Sequence, residues 1–265
     1  MRLYLIGLLG CTLAAAACAE VSLVILKTPI RVVASYEQPE YEGADCGLFT
    51  VTLSVSAGKT TSSEESLPLR CGKARESVQT QVRKLVSWRP PYLALRTYCG
   101  MSNGWNCDTR AIYAYREGKL TSLGRVNDFL DPAKPTLFRK YYTVVEYNDL
   151  VAHGGERVSL VLRDAGAALA FDADETWSLN RETYDRFAAR ELKCNPKKSG
   201  CDDGFKVALV FNSTIAKLTG RQTELQSLLA SARSRLKAEE LQQLDDLLVQ
   251  VDAQGVIKHM NEESY

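Results

Sequence analysis

Histidine is scarce in this chain, with two among 265 residues, His153 and His259. General acid–base chemistry near neutral pH uses that side chain most often, so an enzyme of this kind has little to draw on. Charge of one sign is not in excess either, since 33 Lys and Arg face 32 Asp and Glu. Such balance excludes non-specific attraction to nucleic acid or to an anionic membrane surface, both of which need surplus Lys and Arg. Close cysteine pairs of the CxxC type are missing, which speaks against a zinc site. A phosphate-binding loop is missing as well, because Gly58-Lys59-Thr60 would need a glycine where Leu53 stands. After residue 19 no uncharged apolar run approaches the roughly twenty residues that span a bilayer.

The beginning of the chain carries an export signal. Arg2 gives a short positive start, Leu3 to Ala17 is almost continuously apolar, and Ala17-Cys18-Ala19 offers small residues ahead of Glu20. These features predict a signal peptide over residues 1–19, cleaved after Ala19, and a mature chain that works in the periplasm or outside the cell. Leu13-Ala14-Ala15-Ala16-Ala17-Cys18 is a second and poorer processing signal, with Ala15 where a lipoprotein signal has a larger aliphatic residue. That route would leave lipid on Cys18 and the protein at the outer membrane. In an oxidising space paired cysteines persist. Of eight cysteines two lie in the signal, which leaves Cys46, Cys71, Cys99, Cys107, Cys194 and Cys201. Sequential pairing closes the shortest loops, so each of these is expected to bridge to its neighbour in that order.

The patterning predicts an α+β protein stapled by disulfides. An antiparallel β-meander domain with short helices is expected over residues 20–211, a C-terminal helix or helical hairpin over 212–255, and a frayed tail at 256–265. Residues 21–35 and 48–56 read as strands, 57–70 as a loop without periodicity, and 76–88 as a helix stopped by Pro90-Pro91. Residues 92–98, 110–116 and 120–126 are the clearest strands, with Glu117-Gly118-Lys119 as a turn. A second strand set is expected at 140–147, 157–163 and 168–172, with Asp164-Ala165-Gly166 as a turn. A helix over 180–192 capped by Asn180 follows, then a last strand at 206–211. Leu225, Leu228, Leu229, Ala232, Leu236, Leu241, Leu244, Leu248 and Val251 mark the amphipathic C-terminal part, bent near Lys237.

Few residues invite a chemical role. His153 lies in Ala152-His153-Gly154-Gly155-Glu156, which reads as a surface turn, and His259 falls in the tail. Asp172, Asp174 and Glu175 alternate as calcium ligands do but lack the distal glycine and glutamate of a helix–loop–helix site. A solvated acidic turn is the stronger reading, and no metal or other cofactor is assigned. Asn212-Ser213-Thr214 is a glycan acceptor sequence and, more simply, a helix cap. Recognition is expected at the loop between Cys99 and Cys107, where Met101, Asn103 and Trp105 sit among small polar residues, with Tyr113 and Tyr115 on the following strand. Tyr92, Tyr98, Tyr113, Tyr115, Tyr141, Tyr142 and Tyr147 form either a binding face or cross-strand pairs. The expected function is a non-enzymatic binding or inhibitory protein whose partner is another exported protein, an immunity-like guard against a toxin or lytic enzyme being one form of it. A secreted hydrolase with dispersed carboxylates or serine, and an envelope assembly protein using its C-terminal helices, are the alternatives.

Overall fold

The computed structural model describes residues 19–24, 30–36, 48–57, 60–70, 84–98, 108–131, 134–143, 157–194 and 201–251. Among them are three four-stranded sheets and four α-helices, an α+β arrangement whose recorded strand pairs are all antiparallel. The chain divides into two compact units, Met1–Asp128 with Asp164–Leu169, and Phe129–Arg163 with Ala170–Tyr265.

The first unit contains two meanders. β1 (Ala19–Val24), β2 (Ile30–Tyr36), β3 (Leu48–Ala57) and β4 (Thr60–Arg70) form one sheet; β5 (Val86–Arg89), β6 (Tyr92–Tyr98), β7 (Asp108–Arg116) and β8 (Lys119–Val126) form the other. Their shared core joins Ile30, Val32, Val55 and Ala57 of the first sheet to Leu93, Leu95, Ala111, Tyr113 and Leu120 of the second, with Val86, Trp88 and Tyr115 packed at its margin. Alternation explains the choice of face: Leu93 and Leu95 pair across with Tyr113 and Ala111, so all four point the same way. Glu117 at φ 50 and Gly118 at φ 77 make the β7–β8 connection. Two positive φ values in a two-residue turn match the twist of the strands, and glycine tolerates the second at no steric cost.

Two expectations fail in this unit. Residues 60–70 were expected in a loop and are strand β4, paired with β3 from Leu48↔Arg70 to Ala57↔Thr60. β4 is an edge strand, where polar residues and Pro68 are tolerated because one side needs no ladder partner, so apolar alternation never develops. The helix expected over 76–88 holds at Lys84 and Leu85 but stops short of Trp88: Val86–Arg89 is β5, with Trp88 opposite Leu93, and Pro90-Pro91 form the turn into β6.

The second unit builds on β9 (Asp128–Asp131), β10 (Lys134–Thr143), β11 (Arg157–Asp164) and β12 (Leu169–Phe171), followed by α1 (Ala173–Ala189), α2 (Cys201–Leu218), α3 (Gln222–Arg233) and α4 (Ala238–Gln250). Asp172, not Asn180, is the N-cap of α1, accepting from the Glu175 N–H at 3.1 Å. Asn180 is a buried mid-helix residue, and the expected helix start was misplaced because its polarity resembles a cap. The run 206–211, expected as a strand, is the middle of α2. Phe205 and Ala208 to Ala216 of that helix are buried without a break, and a continuously apolar stretch looks the same in an enclosed helix as in a buried strand. The expected domain boundary at Asn212 falls inside this helix. Around α2 gather Val158 and Leu160 of β11, Tyr184 and Phe187 of α1, and Leu225, Leu228, Leu244, Leu247, Leu248 and Val251 from the C-terminal pair. The leucine face is therefore internal packing, and a turn before Lys237 separates α3 from α4.

Charged groups tie the helices at their ends. Arg235 lies over the Phe205 ring at 3.6 Å and donates to the Leu192 and Cys194 carbonyls, both at 3.0 Å. Lys206 bridges Asp202 and Glu240, each at 2.7 Å. The Lys206 ammonium, helped by the Lys237 N–H, holds the Glu240 carboxyl below its ordinary range. Burial alone would raise Asp172, but the Glu175 N–H and the Arg163 guanidinium outweigh it and lower that carboxyl too. Groups depressed in the folded state stabilise it above the unfolded value, about pH 4, and that contribution disappears as pH falls through the folded values. The urea midpoint is accordingly expected to stay level near neutrality and to drop below about pH 4. Asp172→Asn should flatten the acid limb, and an unchanged slope in the titrated midpoints would remove this carboxylate from the account.

Candidate functional site

The β6–β7 hairpin is where the expected recognition loop attaches. Its strands pair without a shift from Tyr92↔Ala114 to Tyr98↔Asp108. Tyr92 to Leu95 and Ala111 to Ala114 are buried on both faces, so the hairpin is a rigid inner part of its sheet. Met101, Asn103 and Trp105, with Cys99 and Cys107, lie outside the described residues, as do Cys46, Cys71, His153 and His259. Tyr113 is 1% exposed and belongs to the core, which withdraws it from the surface role expected of it; Tyr115 packs half-buried at the margin of the same core. Cross-strand packing is the reading that holds for Tyr113, since its ring lies between the two sheets of the first unit.

Sequence reasoning missed a polar latch in the first unit. Tyr92, itself 1% exposed, donates its hydroxyl to Asp164 Oδ2 at 2.6 Å. Arg116 pairs with the same carboxylate and donates to the Gly166 carbonyl at 3.0 Å, while Asp164 Oδ1 accepts from the Gly166 N–H at 2.8 Å. Burial, reinforced by the Asp164 carboxylate and opposed by Arg116, pushes the Tyr92 phenol up to about 12. It therefore stays a proton donor at any physiological pH. The turn signal at Asp164 was visible in the sequence, but its partners lie 48 and 72 residues away. Tyr92→Phe is expected to cost about 2 kcal/mol, the usual worth of a hydrogen bond to a charged group. Thermal unfolding at neutral pH measures it, and an unshifted midpoint would mean that the latch carries no weight.

The acidic triplet is committed elsewhere. Asp172 caps α1 and pairs with Arg163, Glu175 pairs with Lys134 at 2.8 Å, and Asp174 lies in the first turn of the helix. Among the described residues no three His, Cys, Asp or Glu side chains group as metal ligands would. None of their helices is long and apolar enough to cross a membrane. The Cys194 N–H donates to the Glu191 carbonyl at 3.1 Å, and Cys201 is the first residue of α2. Asn212, Ser213 and Thr214 are fully buried in α2, so the acceptor sequence neither caps a helix nor reaches the surface.

The G-x-S-x-G motif of a serine hydrolase, expected to be absent, is in fact spelled by Gly100-Met101-Ser102-Asn103-Gly104. A nucleophile elbow needs a strand before the serine and a helix after it. Here the flanking elements are two antiparallel strands of one hairpin, so the spelling lacks its context. Comparison with protein-family models, with curated proteins and with solved structures gives no match for this chain.

Proposed function

We propose that this is an exported binding or inhibitory protein, without catalytic activity of its own, that grips another exported protein through the loop between β6 and β7. The observation that carries this reading is the unbroken register of the hairpin up to Tyr98↔Asp108. A loop whose two ends form a strand pair gives up little further freedom on binding, and that lowers the ordering cost of recognition. Trp105, within that loop's sequence, is the kind of side chain that anchors such contacts.

The same registers support stapling in sequential order. Cys99 and Cys107 are the sequence neighbours of the terminal pair Tyr98↔Asp108, where a bridge would close the hairpin. Cys71 follows Arg70, the last residue of β4 to pair, and Cys46 precedes its partner Leu48 by two residues. Cys194 and Cys201 flank the α1–α2 connection, which a bridge between them would close. Three such bridges fit a periplasmic or extracellular address, with cleavage after Ala19 or lipid on Cys18 as the two ways of reaching it.

The test is capture from periplasmic extract with the mature chain and with Trp105→Ala. Loss of a hot-spot aromatic is worth at least about 2 kcal/mol, or roughly thirtyfold in affinity, so the partner should be lost from the variant's eluate. Equal recovery by both proteins would take the loop out of the interaction.

A further inference from the structure

β11 is eight residues long, whereas β12 beside it has only three. The rest of its outer edge is closed by helix α1 and by its N-cap residue Asp172, which directly follows β12. Ser159 N–H donates to Asn180 Oδ1 at 3.1 Å and the Ser159 carbonyl accepts from Asn180 Nδ2 at 2.8 Å. Val161 N–H donates to Thr176 Oγ1 at 2.9 Å, and the Val161 carbonyl accepts from the Asp172 N–H at 2.9 Å. Thr176 and Asn180 stand one helical turn apart and are at most 5% exposed. These four backbone groups are the set that a neighbouring strand would take, because outward-pointing groups recur at alternate residues. α1 is thus a stand-in for a strand.

We propose that this edge is a latent self-association surface, held shut by Thr176 and Asn180, and that its occupant when α1 withdraws is the same edge of a second copy of this chain. The argument is symmetry. With Leu160 opposite its own counterpart, Ser159 of each copy faces Val161 of the other, and the four groups of one strand satisfy the four of its mate without remainder. Antiparallel pairing is what this requires, and it is the mode of every recorded ladder in the protein. Val158 to Leu162 contain no proline, glycine or charge that would resist it. The inner edge of β11 is already paired with β10 throughout Arg157–Arg163, so the outer edge alone is concerned.

Asn180→Ala removes two of the four bonds and is expected to double the sedimentation mass relative to the unmodified protein. Adding Ser159→Pro deletes the outward N–H while leaving the ladder to β10 intact, and should restore the original mass. A folded Asn180→Ala monomer, or a dimer that Ser159→Pro leaves in place, overturns the proposal. Should Asn180→Ala not fold, Thr176→Val carries the same comparison. The unmodified chain gives an independent reading in sub-denaturing urea: protection of the Ser159 and Val161 amides from hydrogen exchange should rise with protein concentration, and concentration-independent exchange overturns the assignment.

Discussion

Phe211→Ala is expected to lower the stability of the protein by about 3–5 kcal/mol, the cost of emptying a large aromatic site in a packed interior. Phe211 is 2% exposed and meets Phe187 of α1 edge-on, with ring centroids 5.4 Å apart. It lies in the part of α2 that is enclosed on all sides, so no solvent-facing rearrangement can refill the space. Urea unfolding followed by the helical circular-dichroism signal measures the loss. A change under about 1 kcal/mol would place Phe211 at a yielding site and not at the centre of the second core.

Asn180→Ala carries the second large effect, and its origin is different. Little apolar volume disappears; what changes is that half-buried Ser159 keeps an N–H and a carbonyl without their side-chain partner. Each orphaned group costs about 1–3 kcal/mol, so roughly 3 kcal/mol of stability should be lost, measured at low protein concentration where association does not compensate. The third bond of the same amide, to the Thr176 carbonyl at 2.7 Å, matters less because that carbonyl belongs to the helix ladder. Asn180→Asp should be intermediate: it keeps the acceptor for the Ser159 N–H and sets a carboxylate against the Ser159 carbonyl. Equal losses in the two variants would place the effect on the donor bond to the Ser159 carbonyl, which both remove, whereas a loss confined to Asn180→Ala with the isosteric Asp unchanged would point to side-chain packing.

The meander at 92–126 was legible because its signals are local. Tyr92–Tyr98, Asp108–Arg116 and Lys119–Val126 carry β-branched and aromatic residues in runs, and Glu117-Gly118 is a turn that needs no distant information. The helical hairpin near the end was legible for the same reason, its leucines repeating at helical spacing. Where the reading failed, the deciding interaction was remote. β4 is a strand because β3 offers it a ladder, not because Thr60–Arg70 alternates. The 206–211 run becomes helix because four other elements enclose it. Asn180 looks like a cap until Ser159, 21 residues earlier, supplies the backbone its amide completes. The candidate loop was marked by composition and the hairpin beneath it by pattern, but the latch of Tyr92, Arg116 and Asp164 joins segments that no local window contains.

The enclosure of Asn212 bears on how this protein can be produced. Its side-chain nitrogen, the atom an oligosaccharide would occupy, donates at 3.2 Å to the Tyr184 carbonyl and has no exposed surface. In a eukaryotic secretion host the transferase and the collapsing helix would compete for that nitrogen during synthesis. A sugar added first would keep α2 from closing, so yield from such a host should improve with Thr214→Val, which erases the acceptor sequence and keeps the shape.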